Sequence, residues 1–566
     1  MKLHPVIAIT GLLCFYGLPA MGTLAMAAEA FEQRCGYSHI IAHESEAVRN
    51  TQQRHPEWGD ELLKQTQVAY NVGDTLSFYT YNYQTNAYDK TPALCRYKSA
   101  KTYIFVGLKE WNNEQVNDAN VNSFYQAFEV STPATSLNPN NGIRKILEDT
   151  FGPAPNKSGD GYIYILIYDI QEGGNSSSYV AGYFMPNDQR DVLYSNRKDV
   201  LYVDCNPGNP SGSGVLSVVA HEFQHLLHYG NDRDEDSNGG TWVNEGCSEY
   251  ASVLCGYRLR SPSKFLRNPD RSMLLFDYSD DSLIDYEKVA LWTYYLGEKF
   301  GPGLVGQIAR ESQNSTAGVR AALSNRGISL TLEDIYTNFM IANYVNDLTL
   351  DAGQYYGYKT ITLAATPPSV EYKGYPVNAK VKELASFAAT YIMFSGSDST
   401  ALLSFAGSTG NTSRAVMISL GANKKVETLV RDAQGQTTTS LSAIGKTASQ
   451  LVLLPLSFAG TNFVYYSVST SIEDFSPPIL TAGPRESRPG SHSITIFWET
   501  DELSNGVVQY GQTAQYGSTM QDTMMATSHR VSLTGLKANT VYHYRVGSTD
   551  GRSEEHTSEL QSRQVI

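Results

Sequence analysis

Basic residues are scarce in this chain. Lysine and arginine total 43 against 57 acidic residues, a net charge of −14 over 566 residues. That balance excludes a nucleic-acid backbone as a natural partner and suits a protein that must stay soluble. Long apolar runs are also missing beyond the extreme N-terminus, where nothing approaches the roughly 20 residues needed to cross a bilayer. Cysteine is rare, with six residues, and so is histidine, with eleven. Scarce histidine makes any regularly spaced pair informative.

The N-terminus has the form of a secretory signal. Lys2 supplies a positive start, residues 6–21 are apolar with interrupting glycines, and Ala25-Met26-Ala27 is an A-x-A cleavage site. Leu13 before Cys14 occupies a position where a lipobox needs a small residue. The mature chain is therefore expected outside a bacterial cell, without a membrane span. Five cysteines follow the signal: Cys35, Cys95, Cys205, Cys247 and Cys255. An odd count leaves at least one unpaired or intermolecular. The favoured pair is Cys35 with Cys95. Cys247 and Cys255 lie eight apart on one expected helix, too far to bridge, and Cys205 is free to pair with either.

What is present is concentrated in residues 221–249, HEFQHLLHYGNDRDEDSNGGTWVNEGCSE. His221 and His225 are four apart, so on a helix they project from one face toward a single metal ion. Glu222 lies beside them, positioned as a general base. Nineteen residues separate His225 from Glu245, enough for the helix to end, turn and return. A bare HExxH arises by chance in about one chain in a hundred of this size. The apolar lead-in of Leu216, Val218, Val219 and Ala220 strengthens it, as does the continuation through Phe223, Leu226 and Leu227. Glu245 and Glu249 repeat the four-residue spacing, so Glu245 can ligate while Glu249 orients a metal-bound histidine.

HExxH followed by NExxSE resembles the gluzincins, the clan that includes thermolysin, and the WVNEG string is similar to that of the aminopeptidase N group. The wording AHEFQHLLHYG and TWVNEGCSEYAS most resembles the hyicolysin-type neutral metallopeptidases, over about residues 100–345. The resemblance implies Zn²⁺ held by His221, His225 and Glu245, with Glu222 as general base and Glu249 behind a ligand. Three protein ligands leave one position for water or substrate. Cys247 departs from the family pattern, where an apolar residue is expected, and would bring a thiol near the metal. Tyr286 opens the apolar helix DYEKVALWTYYLGEKFG, and its YEK string resembles the aminopeptidase N group, whose tyrosine stabilises the oxyanion. His228 is too far along the helix axis to share the ion and reads as a packed residue. The acidic run NDRDEDSN at residues 231–238 lacks the glycine and distal glutamate of an EF-hand and reads as a solvated loop, with Ca²⁺ the alternative.

The chain reads as multidomain: an α+β zincin (thermolysin-like) catalytic domain followed by β-sandwich accessory domains. The expected division is 1–27 signal, 28–99 an N-terminal β-rich region or propeptide, and 100–350 catalytic. Then come 365–472 as a β-sandwich, 476–551 as an incomplete domain and 552–566 as a non-native tail. Within the catalytic part, YVAGYFMPND is expected as an edge strand whose residues 179–184 bind substrate backbone. Residues 365–472 carry short strands every 8–12 residues, the pattern of a sandwich, read as a carbohydrate- or substrate-proximity module or a stabilising accessory domain. After a Pro-rich linker, SITIFWETDELSNGVVQYG and HRVSLTGLKANTVYHYRVGSTD resemble a fibronectin type III domain, with Trp498 as core aromatic and residues 536–542 as its tyrosine corner. Such domains also precede purple acid phosphatase cores, and no such core is present. The pattern breaks off after Asp550, and RSEEHTSELQS resembles a translated sequencing adapter, which predicts an open sheet edge. The leading expectation is a secreted zinc endopeptidase acting on proteins. An aminopeptidase is the rival, but it wants a GxMEN-type loop that is absent. An inactive zincin scaffold serving as an adhesin is opposed by the intact Glu222.

Overall fold

A computed structural model describes residues 32–58, 69–172, 178–277, 282–396, 401–408, 412–441, 443–444, 448–469, 478–549 and 560–565. The signal segment lies outside the described residues. No helix among them is long and apolar enough to cross a membrane.

The N-terminal part is organised on one seven-stranded sheet. Its strands are β1 (Glu32–Cys35), β2 (Thr75–Asn82), β3 (Ala87–Lys98), β4 (Thr102–Gly107), β5 (Ile163–Tyr168), β6 (Ser178–Phe184) and β7 (Asp199–Asp204), in the order β1-β6-β7-β5-β4-β3-β2. The central strands β4, β5 and β7 run parallel. All are fully buried, so IYILIY in β5 needs no polar face and reads as a continuous apolar run. Strand β6 is antiparallel to β7, and β1 runs parallel to β6. β3 pairs antiparallel with β4 and β2 with β3. The division expected between residues 99 and 100 thus falls inside one sheet, because pairing ignores the change in composition there.

Four helices matter for the site: α1 (Tyr37–Arg54), α2 (Ser213–Asn231), α3 (Thr241–Leu254) and α4 (Ser282–Phe300). Helix α2 buries Val215, Val219, Phe223 and Leu226 against the sheet, which is the apolar period seen in the sequence. Strand β6 lies close beneath it. A Cβ on Gly182 would sit 2.5 Å from Val218 Cγ1 and 2.7 Å from the Tyr202 carbonyl oxygen, so only glycine allows this approach.

The expected sandwich is present as two sheets, one containing Ser413–Leu420 and Gln450–Ser457, the other Ala401–Ala406 and Thr461–Ser469. It shares an apolar core with the helical part, where Phe387, Tyr391 and Phe458 join Tyr336 and Phe339. Backbone bonds cross the same boundary, the Met273 amide donating to the Phe387 carbonyl at 2.8 Å. The C-terminal sheet has its own core around Trp498, Ile496 and Val546. The Tyr542 hydroxyl accepts the Lys537 amide at 3.1 Å, the contact expected of a tyrosine corner. The edge expected to be open is paired: Leu560–Val565 runs antiparallel to Val541–Gly547.

Candidate metal centre

Two helix turns bring the donors together. His221 and His225 project from α2, and their Nε2 atoms lie 3.1 Å apart. Glu245, one turn into α3, aims Oε2 at them from 3.3 and 3.5 Å. Both ligand helices are buried here: His225 and Glu245 have no exposure. Ligands around a tetrahedral zinc stand roughly 3.3–3.6 Å apart, given bonds of about 2.0–2.3 Å. The two distances to Glu245 fall in that range, and the 3.1 Å between the imidazoles lies just short of it.

The protonation pattern also fits. His225 Nδ1 lies 3.0 Å from Asn244 Oδ1, an acceptor, so Nδ1 carries the proton and Nε2 presents a lone pair to the cluster. Asn244 is itself fixed by donating to Asp236 Oδ2 at 2.8 Å and to the Tyr37 hydroxyl at 3.2 Å. Ser38 Oγ donates to Glu245 Oε1. Glu245 Oε2 and Glu222 Oε1 have no hydrogen-bond partner, although both residues are fully buried. Orphaned buried carboxylate oxygens are costly and call for a ligand. Burial works to raise the Glu245 carboxyl, but the facing His225 and His221 outweigh it and hold it well below the usual carboxylate range. Burial pushes Glu222 the other way, up to about 8.

Several expectations are revised. Glu249 Oε1 is 3.8 Å from His221 Nδ1, beyond hydrogen-bond reach. It accepts instead from Arg260 Nε and a terminal nitrogen, at 3.0 and 2.8 Å, because a guanidinium donates in a fork that an imidazole cannot match. The orienting contact to a histidine comes from Asn244. The thiol near the donors belongs to Cys35, not Cys247: Cys35, His221, His225 and Glu245 are grouped with their donor atoms within 4.8 Å of one another. Cys247 is packed in the apolar core. The five cysteines among the described residues are free thiols, so neither Cys35–Cys95 nor a Cys205 pairing forms. Cys95 is buried in β3, on the sheet face away from α2. Strand β6 lies beside α2, but its outer edge is taken by β1.

The remaining residues fall around this centre. Tyr286 is buried on α4, and its hydroxyl donates to the Cys35 carbonyl oxygen at 3.2 Å. His228 packs with Gln224, at 3.3 Å, away from the donor group. The acidic run is not simply solvated: Asp236 anchors Tyr37 and Asn244, and buried Glu235 accepts the Ser315 amide at 2.7 Å. Arg260 and Asn244 had no sequence signal beyond adjacency to the motif, and Cys35 none beyond the odd cysteine count. A cleft of about 320 Å³ opens beside the donors, lined by Gln33, Cys35, Ser217, His221, Glu222 and Arg258 among others.

Known proteins point the same way at a coarse level. The chain is 25% identical over 291 residues to the neutral metalloprotease ShpI of Staphylococcus hyicus. The match covers 48% of this chain and 63% of that protein. This supports a metallopeptidase relationship. The family model of the purple acid phosphatase N-terminal domain matches residues 486–560. Among solved structures, an fn3 domain of human collagen alpha-1(XX) is 16% identical with a TM-score of 0.13, covering 17% of this chain and 90% of its own. The chicken CNTN1 FN1-FN3 domains are 14% identical with a TM-score of 0.15, covering 28% of this chain and 56% of theirs.

Proposed function

We propose that the chain is a secreted zinc-dependent endopeptidase, with His221, His225 and Glu245 as metal ligands. The observation that carries this reading is the convergence of two Nε2 atoms and an unpartnered Glu245 oxygen beside the buried Glu222. His221, His225 and Glu245 would hold a zinc ion, which when bound would supply Lewis acidity toward a substrate carbonyl and a water molecule. The chain's own residues do the rest. Glu222 takes a proton from the attacking water and passes it to the departing amine nitrogen, as the water oxygen bonds to the carbonyl carbon and the C–N bond breaks. The Tyr286 hydroxyl donates to the carbonyl oxygen as it gains charge, a role supported by the carbonyl it already holds. Strand β6 would offer backbone groups to an extended peptide at the edge that β1 takes in this structure.

The test uses the chain from residue 28 onward. Because Cys35 lines the cleft beside the donors, hydrolysis is followed in the Cys35→Ala form, with and without Glu222→Gln. One zinc per chain in both, and casein cut at internal bonds only where Glu222 is present, is the expected result. Absence of bound zinc, or release of single N-terminal residues alone, would overturn the reading.

A further inference from the structure

We infer that Cys35 is a fourth ligand of the metal centre and that residues 32–36 hold the peptidase latent by occupying the outer edge of β6 beside the cleft. The inference rests on the metallopeptidase reading above and concerns the regulation of that same site.

The first observation is the donor geometry. Cys35 Sγ lies 3.5 Å from His225 Nε2 and 3.4 Å from Glu222 Oε2. A zinc thiolate and a zinc imidazole sharing a tetrahedron would stand roughly 3.5 Å apart. Sulfur therefore occupies the corner that water or a substrate carbonyl would need. The unpartnered Glu245 oxygen faces the same point as an independent mark of a missing ligand.

The second is how the backbone around Cys35 is held. β1 adds to the outer edge of β6, with Gln33 opposite Tyr179 and Cys35 opposite Gly182. The Gly36 amide donates to the Gly182 carbonyl at 2.9 Å. Arg260 donates to the Gln33 carbonyl at 3.0 Å, and Tyr286 to the Cys35 carbonyl at 3.2 Å. Gln33 Nε2 donates to the Tyr179 hydroxyl at 3.0 Å. These are the groups a bound peptide would use: the strand edge and the carbonyl-polarising tyrosine. Substrate and the N-terminal segment compete for one surface.

Gly36 makes the seat possible. A Cβ there would lie 1.9 Å from the Tyr83 hydroxyl and 2.8 Å from Val180 Cγ1. Beyond it the chain enters α1, whose Tyr37 stacks on His225 with ring centres 4.4 Å apart and donates to Asp236 at 2.6 Å. Helix α1 is thus part of the scaffold, and residues 32–36 form a short arm that can leave β6 while α1 stays.

Ligation is a proton exchange. Were a metal held here, Cys35 would join it as the thiolate: its S–H bond would break, the proton would leave to solvent, and the sulfur lone pair would take the open ligand position. Cys35 Sγ lies 3.4 Å from Glu222 Oε2, so the arm stands between the base and any water as well as at the open ligand position. Release reverses both steps, and sulfur recovers its proton as the arm departs.

The experiment compares the chain from residue 28 onward with Cys35→Ser, and with Cys247→Ser as a control for the other thiol of the motif. Each is loaded with Co²⁺, and the near-ultraviolet thiolate-to-cobalt absorption is read at equal metal content. Expected is a band in the unsubstituted chain and in Cys247→Ser, lost in Cys35→Ser. In the zinc form, iodoacetamide should label Cys35 at least about tenfold more slowly than in chelator-treated protein, since the alkylated species is the free thiolate. Casein hydrolysis should rise about tenfold or more in Cys35→Ser, the base and the open position being freed together. Metal bound with no sulfur band and equal labelling would overturn the inference while leaving the peptidase reading intact. A band with unchanged hydrolysis would overturn latency. No bound metal in any form would instead overturn the peptidase reading itself.

Discussion

The α2–α3 pair and the C-terminal sheet both bury histidine beside hydroxyls and aromatic rings, with opposite results. In the C-terminal sheet His529 stacks on Trp498 at 4.8 Å, and its Nε2 meets Thr500 and Ser504 hydroxyls at 3.1 and 3.2 Å. Trp498 Nε1 donates to Ser548 at 3.0 Å. The Nδ1 atom of His529 is left over, but among the described residues it belongs to no cluster of metal-ligating side chains. Around α2, by contrast, histidines and carboxylates face one point and leave two carboxylate oxygens without donors. Buried polar groups that close on one another specify packing; those that close on empty space specify a ligand.

The sharpest way to break this contrast is to truncate one residue on each side. His225→Ala should abolish stoichiometric zinc and reduce hydrolysis by about three orders of magnitude or more, with each ligand indispensable to the centre. Trp498→Ala should cost its own region about 3–5 kcal/mol, as large buried aromatics do. It should leave zinc content and hydrolysis unchanged. Metal analysis, casein assays and denaturant unfolding of both variants would decide, and a Trp498 variant that lost zinc would erase the distinction.

A smaller effect tests the support behind the ligands. Asn244→Ala removes the acceptor that fixes the His225 tautomer and should weaken zinc binding about 10–100-fold, the usual consequence of losing such a partner. Competition with a chelator measures it. Glu249→Gln should change zinc affinity far less, because Glu249 hydrogen-bonds Arg260 and only approaches His221 Nδ1, at 3.8 Å. Equal losses in both would restore the role first expected of Glu249.

The reach of the sequence follows from distance along the chain. His221, Glu222, His225 and Glu245 were legible because one helical turn places residues four apart on one face. The all-apolar strands and Trp498 were legible for similar local reasons. Cys35 is 187 residues from Glu222, and nothing within the four residues of β1 tells which edge it will join. Arg260 is 227 residues from the Gln33 carbonyl it binds. The order of the seven-stranded sheet was hidden for the same reason. So was the identity of the thiol near the donors: adjacency favoured Cys247, but a helix turns alternate residues away from one another.

The seven-stranded sheet that carries α2 and the C-terminal sheet should also answer pH with opposite sign. Burial raises Asp188, beside β7, to about 7 from an ordinary 3.8, overcoming donors from Tyr202 and Asn196. Its folded state keeps a proton that the unfolded chain would release, so its contribution is full below about 3.8 and is lost as pH rises through about 7. Burial lowers His529 to about 4 from 6.5, so its contribution is full above about 6.5 and is lost as pH falls through about 4. Hydrogen exchange resolved by peptide between pH 4.5 and 7.5 should show Asp188→Asn gaining protection over the parent at the alkaline end. His529→Phe should gain it at the acid end. Parallel profiles for parent and variants would remove the proposed cause.

The smallest expected effect concerns the sandwich that shares its core with the helical part. Arg414 reaches across the boundary to Asp334 at 2.9 Å and to the Thr337 hydroxyl at 3.0 Å, with the guanidinium over the Phe458 ring. Both partners of the ion pair are about one-third exposed, so water and salt screen it. Arg414→Met keeps much of the apolar stem and should cost about 0.2–1 kcal/mol. Phe458→Ala, in the shared core, should cost about 3–5 kcal/mol. It should loosen both parts together, since Phe458 lies near Phe387 and Tyr336 alike. A single unfolding transition that shifts as a unit in Phe458→Ala, and barely moves in Arg414→Met, would mean apolar burial joins these parts while the ion pair only trims their register. Two separating transitions in Arg414→Met would reverse that ranking and make the boundary electrostatic.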